Sequence, residues 1–274
     1  MERLINLATQ VCELTRQAGE KIMHFYQAGR AVTLKKDASP LTAADTASHN
    51  FLVESLRALA PKIPVISEES DQQMSDSIAA ARWFWLVDPL DGTKEFVKGT
   101  NEFTVNVALV EDRRPILGVV HAPALNLTYY GGRGLGAWRQ ESDGQPVSIA
   151  ARKADSSRMA VVASKDHAGP MVSAMLARLI EPELRSMGSS LKFCLVAEGK
   201  ADLYLRDVPT MEWDTAAAHS VVEAAGGAIY TLDGKPLQYG KPGLKNSSIM
   251  TVGDTGFDWQ GLIKDCRPPA SDRG

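Results

Sequence analysis

Cysteine is scarce in this chain. Cys12, Cys194 and Cys266 stand far apart in 274 residues, with no Cys-x-x-Cys pair and no partnered histidines. An odd number at such spacing argues against a disulfide framework and against a Cys/His zinc site, and a reducing compartment fits best. Long apolar runs are missing too, since none approaches the roughly 18 residues that a membrane-spanning helix needs. The opening Met1-Glu-Arg-Leu-Ile-Asn carries charge at once, so no signal peptide and no transmembrane segment are expected. Neither sign of charge dominates: 30 basic residues face 33 acidic ones, for a net charge of −3. With no basic block, a nucleic-acid polymer is not an expected partner. A cytoplasmic protein is expected, and the sequence leaves peripheral contact with the cytoplasmic face of the inner membrane open.

What is present is an ordinary globular composition, 44% hydrophobic and 23% charged, in a chain long enough to bury a large core. Leu4, Leu7, Ala8, Val11, Cys12, Thr15, Ala18, Ile22 and Tyr26 recur at helical spacing, which predicts a long helix over 2–28 with one buried stripe. A second amphipathic helix follows through Phe51, Leu52, Leu56 and Leu59, opened by Thr42 and Asp45 at the spacing of a capping box. From Phe103 to about Trp138 the pattern turns to short apolar strands with polar breaks, an antiparallel meander that reads as scaffold. His121, at a strand end there, reads as a hydrogen-bonded structural histidine.

The polar segment from Glu141 to Ala154 is the best boundary. It divides an N-terminal α+β half, 1–145, from a C-terminal half, 146–274, where strands and helices alternate as in an α/β unit with a mixed or parallel sheet. In that second half Met211-Glu212-Trp213-Asp214-Thr215 opens a helix with Asp214 at its N-cap, and Gly226-Gly227 closes it.

The densest stretch is Trp85-Leu-Val-Asp88-Pro-Leu90-Asp91-Gly92-Thr93-Lys94-Glu95-Phe96. An apolar strand over Trp83 to Val87 stops at a turn carrying two aspartates. Gly92 then lets the backbone approach a ligand before a helical turn begins near Thr93, where free N–H groups suit a phosphate. Two carboxylates beside an anion site make sense mainly with cations between them. At about 4 Å and an effective dielectric near 20, such a like-charge pair costs roughly 4 kcal/mol. Read alone, the Asp-Pro-x-Asp-Gly core fits a capped turn equally well. An EF-hand is excluded, because its alternating oxygen ligands and terminal Glu are absent.

The full twelve residues resemble the metal-binding signature of the inositol monophosphatase superfamily, magnesium-dependent and lithium-sensitive phosphatases. Two further stretches strengthen the resemblance. Glu68-Glu69 stands twenty residues before Asp88, and Trp213-Asp214-Thr215-Ala-Ala resembles the second signature. The resemblance runs from roughly residue 5 to 265. It implies a layered α-β-α-β-α sandwich of the sugar-phosphatase type, and two or three Mg²⁺ held by Glu68, Asp88, the Leu90 carbonyl, Asp91 and Asp214. It further implies that Asp45 and Thr93 activate the attacking water, with Glu68 also catalytic through its metal, and that the N–H groups of Gly92 and Thr93 grip the phosphate.

Thr93-Lys94-Glu95-Phe96 and Gly188-Ser189-Ser190-Leu191-Lys192-Phe193 resemble the branch that hydrolyses 3'(2'),5'-bisphosphate nucleotides. For that branch Ser189, Lys192 and Arg206 would hold the nucleotide, alongside Glu68, Leu90, Asp91, Gly92, Thr93 and Asp214 around the phosphate. His167 would join them, although Ser164-Lys165-Asp166-His167 departs from the branch's Ser-Arg-Ser-His. Without the resemblance, Ser189, Lys192 and Arg206 read as a helix start and two exposed bases. The implied reaction is hydrolysis of adenosine 3',5'-bisphosphate to AMP and phosphate, a link to sulfate assimilation. An inositol or other sugar-phosphate phosphatase is the alternative, and a non-catalytic nucleotide or metal sensor a second one. Superfamily members are often dimers, but no self-complementary face is identifiable in the sequence.

Overall fold

The computed structural model describes residues 2–29, 32–34, 40–71, 78, 81–163 and 169–266. Helix α1 (Glu2–Ala28) buries Ala8, Val11, Thr15, Ala18 and Ile22, steps of three and four that keep one stripe facing inward, with Gly19 buried beside Ala18. Strands β1 (Val32–Leu34) and β2 (Pro40–Thr42) form a short antiparallel ribbon that runs into α2 (Ala43–Leu59). Next come β3 (Val65–Ser67), β4 (Trp83–Asp91), the short α3 (Thr93–Lys98), and then β5 (Thr104–Glu111), β6 (Arg114–Ala122), β7 (Leu127–Gly132), β8 (Gly136–Glu141) and β9 (Val147–Ile149). The seven strands β3 to β9 make one sheet in chain order. Only β3 and β4 run parallel; the rest is the expected meander. β9 lies in the segment read as a polar connection, where its three residues pair with β8.

The second sheet is built from β10 (Ala160–Ala163), β11 (Glu183–Ser186), β12 (Leu203–Arg206), β14 (Ala228–Thr231) and β16 (Ile249–Val252), in the order β11-β10-β12-β16-β14. It is mixed: β10 runs parallel to both neighbours, and β16 antiparallel to both of its own. Between its strands lie α4 (Pro170–Leu176), α5 (Leu191–Ala197) and α6 (Ala216–Ala224), and α7 (Trp259–Ile263) follows the last. The two-residue strands β13 (Thr210–Met211) and β15 (Lys245–Asn246) pair antiparallel beside them.

Alternation along the strands explains the layering. On the first sheet Trp85, Val87, Val107, Leu109, Leu117 and Val119 face α1 and α2, packing with Val11, Ile22, Leu52 and Leu56. Phe84, Leu86, Ala108, Val110 and Val120 face the other way, against Phe193 and Val196 of α5 and Val221 and Val222 of α6. The same two helices cover Ala160, Val162, Tyr204 and Ile249 of the second sheet. Its outer face, with Val161, Leu203, Leu205 and Met250, packs on Met171 and Met175 of α4 and Trp259 and Ile263 of α7. The result is the α-β-α-β-α sandwich. Each large side chain so buried contributes about 1.5–3 kcal/mol of hydrophobic free energy.

The α6 backbone touches the first sheet directly. A Cβ on Gly118 of β6 would stand 2.0 Å from the Ala217 carbonyl oxygen, so only glycine permits this approach. His121 is buried and shares a 2.9 Å hydrogen bond with Thr128, in keeping with a structural role. No helix among the described residues is long and apolar enough to cross a membrane.

Candidate active site

The two aspartates of the central stretch do not follow the end of a strand; they lie within one. β4 continues to Asp91, with Asp88 paired to Asn106 and Asp91 to Thr104, so three residues on β4 span two on β5. Residues three apart on a regular strand face opposite sides. The extra residue of this bulge cancels the mismatch and presents both carboxylates to the inner helices. Pro89 sits inside the irregularity, where its missing N–H costs no regular ladder bond. The Asp88 carboxylate accepts the Leu90 N–H at 3.0 Å, which fixes the tight step, and Ser48 of α2 donates to the Pro89 carbonyl at 2.8 Å.

Four acids come within electrostatic range of one another here. Burial raises the Asp88 pKa well above the ordinary carboxylate value, and the charges of Glu68, Asp91 and Asp214 raise it further. Burial likewise raises Asp91, against the lowering pull of Lys192 and of the Ser190 N–H. Asp214 is pushed up to about 7 by burial, then by Asp91 and Glu68, with the Met211 N–H and Arg206 opposing. Acids distant in the chain thus meet, across a gap of 126 residues between Asp88 and Asp214. Among the described residues no three potential ligands form a ready-made cage. The converging donors are all oxygens and repel one another, the donor chemistry that suits a hard divalent cation.

Asp214 is not the helix N-cap. α6 begins at Ala216 with Thr215 in the cap position and no side-chain cap bond, while Asp214 turns back to accept the Met211 N–H at 2.9 Å. Its carboxylate is thereby held toward the other acids.

Beside the cluster, Asp45 has both of its expected partners. It completes the capping box of α2, accepting the Thr42 N–H at 2.8 Å and the Thr42 hydroxyl at 2.6 Å on one oxygen. Its other oxygen lies 3.3 Å from the Thr93 hydroxyl, which also has the Leu90 carbonyl within 3.2 Å. Burial raises the Asp45 pKa, the Thr42 bonds oppose this, and Glu69 adds to it.

Gly92 adopts φ 90°, ψ 42° before α3, and a Cβ there would stand 3.3 Å from that of Ser189. Ser189 itself sits at φ 47°, with its hydroxyl buried and unpaired among the described residues. Lys192 is not an exposed base: it is 7% exposed, 5.7 Å over the Tyr204 ring, and its charge is felt at Asp91. Arg206, half-buried at the end of β12, acts on Asp214. His167 lies outside the described residues.

Thr104, Asn106 and Ser190 were missed. Ser190 donates its N–H to Asp91 at 2.6 Å, and its hydroxyl bonds to Thr104 and Asn106, each at 2.8 Å. The signal was available: Thr104 and Asn106 are polar at alternate positions of a strand that is otherwise apolar up to its last residue, Glu111, which puts both on one buried face.

Fold and site together define an acid-lined phosphatase scaffold. Residues 3–258 match the inositol monophosphatase family, and the chain belongs to it. Its similarity is strong to proteins named 3'(2'),5'-bisphosphate nucleotidase CysQ. The Escherichia coli K12 protein is 47% identical over 84% of this chain and 92% of its own, and the Haemophilus influenzae protein 36% identical over 94% and 97%. The crystal structure of CysQ from Bacteroides thetaiotaomicron matches with a TM-score of 0.78 at 36% identity, covering 90% of this chain and 97% of that one.

Proposed function

We infer that this chain is a 3'(2'),5'-bisphosphate nucleotidase, a phosphomonoesterase that hydrolyses adenosine 3',5'-bisphosphate to AMP and phosphate. The observation that carries the reading is the convergence of Glu68, Asp88, Asp91 and Asp214, with the Asp45–Thr93 pair at its edge. Relatives covering most of the chain share the name of that activity.

Glu68, Asp88, the Leu90 carbonyl, Asp91 and Asp214 would hold two or three Mg²⁺. Bound there, the ions supply a lowered water pKa and offset the charge of the phosphate oxygens. The protein's own contribution is orientation and proton transfer. Asp45, anchored at Thr42 by its first oxygen, accepts the Thr93 hydroxyl proton with its second, and this turns a Thr93 lone pair toward the attacking water. As the water oxygen bonds to phosphorus, its proton passes to Thr93 and that of Thr93 to Asp45, whose raised pKa suits a base. The bond from phosphorus to the ribose 3'-oxygen breaks, and that oxygen takes a proton from solvent. Lys192, Arg206 and the buried Ser189 hydroxyl would hold the nucleotide, where cations suit a second phosphate. The reading carries lithium sensitivity, a cytoplasmic setting, service to sulfate assimilation and a homodimeric assembly with it.

The test compares phosphate release from adenosine 3',5'-bisphosphate and from inositol 1-phosphate in magnesium, with and without lithium. The expected result is a higher kcat/KM for the nucleotide, with lithium inhibiting. Preference for the inositol ester would install the sugar-phosphatase alternative, and tight nucleotide binding with no phosphate release would install the sensor.

A further inference from the structure

The contacts around Asp91 have a direction that follows from counting protons. Ser190 donates its hydroxyl to the Asn106 side-chain oxygen at 2.8 Å, so the 2.8 Å contact between Ser190 and Thr104 must use the Thr104 proton. Asn106, oriented by the bond it accepts, turns its NH₂ to Asp91 Oδ2 at 3.4 Å. The Ser190 N–H reaches the same oxygen at 2.6 Å, and the Thr104 hydroxyl lies 3.5 Å from it. Both N–H donors fall on Oδ2, and Thr104, whose proton goes to Ser190, supports that oxygen through Ser190. Thr104, Asn106 and Ser190 are all buried, at most 1% exposed. Thr104 and Asn106 come from β5, whereas Ser190 comes from the turn before α5, 84 residues after Asn106 in the chain.

We propose that Ser190 and Asn106, with Thr104 acting through Ser190, are positioning residues that hold Asp91 Oδ2 and so reserve Oδ1 for a divalent cation. This rests on the reading of the acid cluster given above. Carboxylate ligands depend on such outer partners, whose loss weakens metal affinity by about 10- to 100-fold. The link also makes the cation site depend on the docking of the turn 188–190. That turn is tied down a second time by the Gly188 N–H bond to Glu102 at 2.8 Å.

Mn²⁺ binding without nucleotide, read from the loss of the free-ion paramagnetic resonance signal, tests the proposal. Asn106→Leu should bind Mn²⁺ at least about tenfold more weakly than the wild type. Thr104→Val and Ser190→Ala should show smaller losses, and Thr104→Ser, which keeps the hydroxyl, should match the wild type. The turnover defect of Asn106→Leu should shrink as Mg²⁺ is raised, which a general structural defect would not do. The Thr104 and Ser190 variants change a single hydroxyl, so they give a reading even where Asn106→Leu folds poorly. Wild-type Mn²⁺ affinity in all three deletions would overturn the proposal. Wild-type protein that binds Mn²⁺ but releases no phosphate from the bisphosphate nucleotide would overturn the nucleotidase reading alone, and one that takes up no Mn²⁺ would overturn both.

Discussion

Two groups of buried and half-buried acids in this molecule are treated in opposite ways. Asp202, fully buried, is gripped by the Arg152 guanidinium through two 2.7 Å bonds and also accepts the Ala160 N–H at 2.7 Å. Glu212, equally buried, accepts the N–H groups of Gly240 at 2.7 Å and Lys241 at 2.9 Å, and pairs with the Lys241 ammonium at 2.6 Å. Asp88 and Asp214, by contrast, each accept one backbone N–H among the described residues and face further carboxylates. A buried charge whose partners are built into the chain locks structure in place. One left short of partners raises the energy of the fold until something cationic arrives. Glu212 and Asp214 are two residues apart, so the distinction is drawn by their contacts and not by their neighbourhood in sequence.

Substitution on each side of this divide should act on different observables. Asp91→Asn keeps an acceptor for Ser190 and Asn106 while removing a repelled charge. Its magnesium-dependent turnover should fall by about a thousandfold or more, and its melting midpoint in chelator should hold or rise. Near-normal turnover would dissolve the contrast. Asp202→Asn should do the reverse, losing about 3 kcal/mol in urea unfolding while the rate per folded molecule is retained.

His121 offers a third kind of buried ionisable group, one kept neutral. Burial, with Arg16 adding, pulls its pKa from 6.5 down to about 4. Between those values the unfolded chain binds the extra proton, so stability present above pH 6.5 is lost as pH falls toward 4, by up to about 3 kcal/mol. His121→Gln should flatten that part of the stability profile, which chemical unfolding at several pH values would measure. Asp45→Asn should lower kcat by about a hundredfold and leave KM near its wild-type value. A change in KM alone would remove Asp45 from the proton path and leave it a helix cap.

The parts of this design that sequence reveals are those fixed by short-range periodicity or by an uninterrupted signature. The α1 stripe, the meander and the alternation of the second sheet follow from spacing alone, and the four acids from the resemblance their signatures carry. The continuation of β4 through Pro89 was hidden because proline and glycine signal a turn, and a bulge tolerates both without ending the strand. β9 was hidden by its brevity and its partly exposed edge position. Asp214 looked like a cap because Asp favours that position; tertiary contact moved the cap to Thr215 instead. The Thr104–Asn106–Ser190 link joins segments more than 80 residues apart, and no local rule couples such positions.

One hydrogen atom sets the height at which the second half of the chain rides over the first. Gly118 lets the Ala217 carbonyl rest on the sheet, and Asp214 lies three residues before Ala217. An alanine at 118 would lift that end of α6 and carry Asp214 away from Asp88. Since misplacement by about 1 Å is enough to slow a reaction roughly a hundredfold, the smallest side chain in the sheet governs the gauge of a reaction centre it never touches.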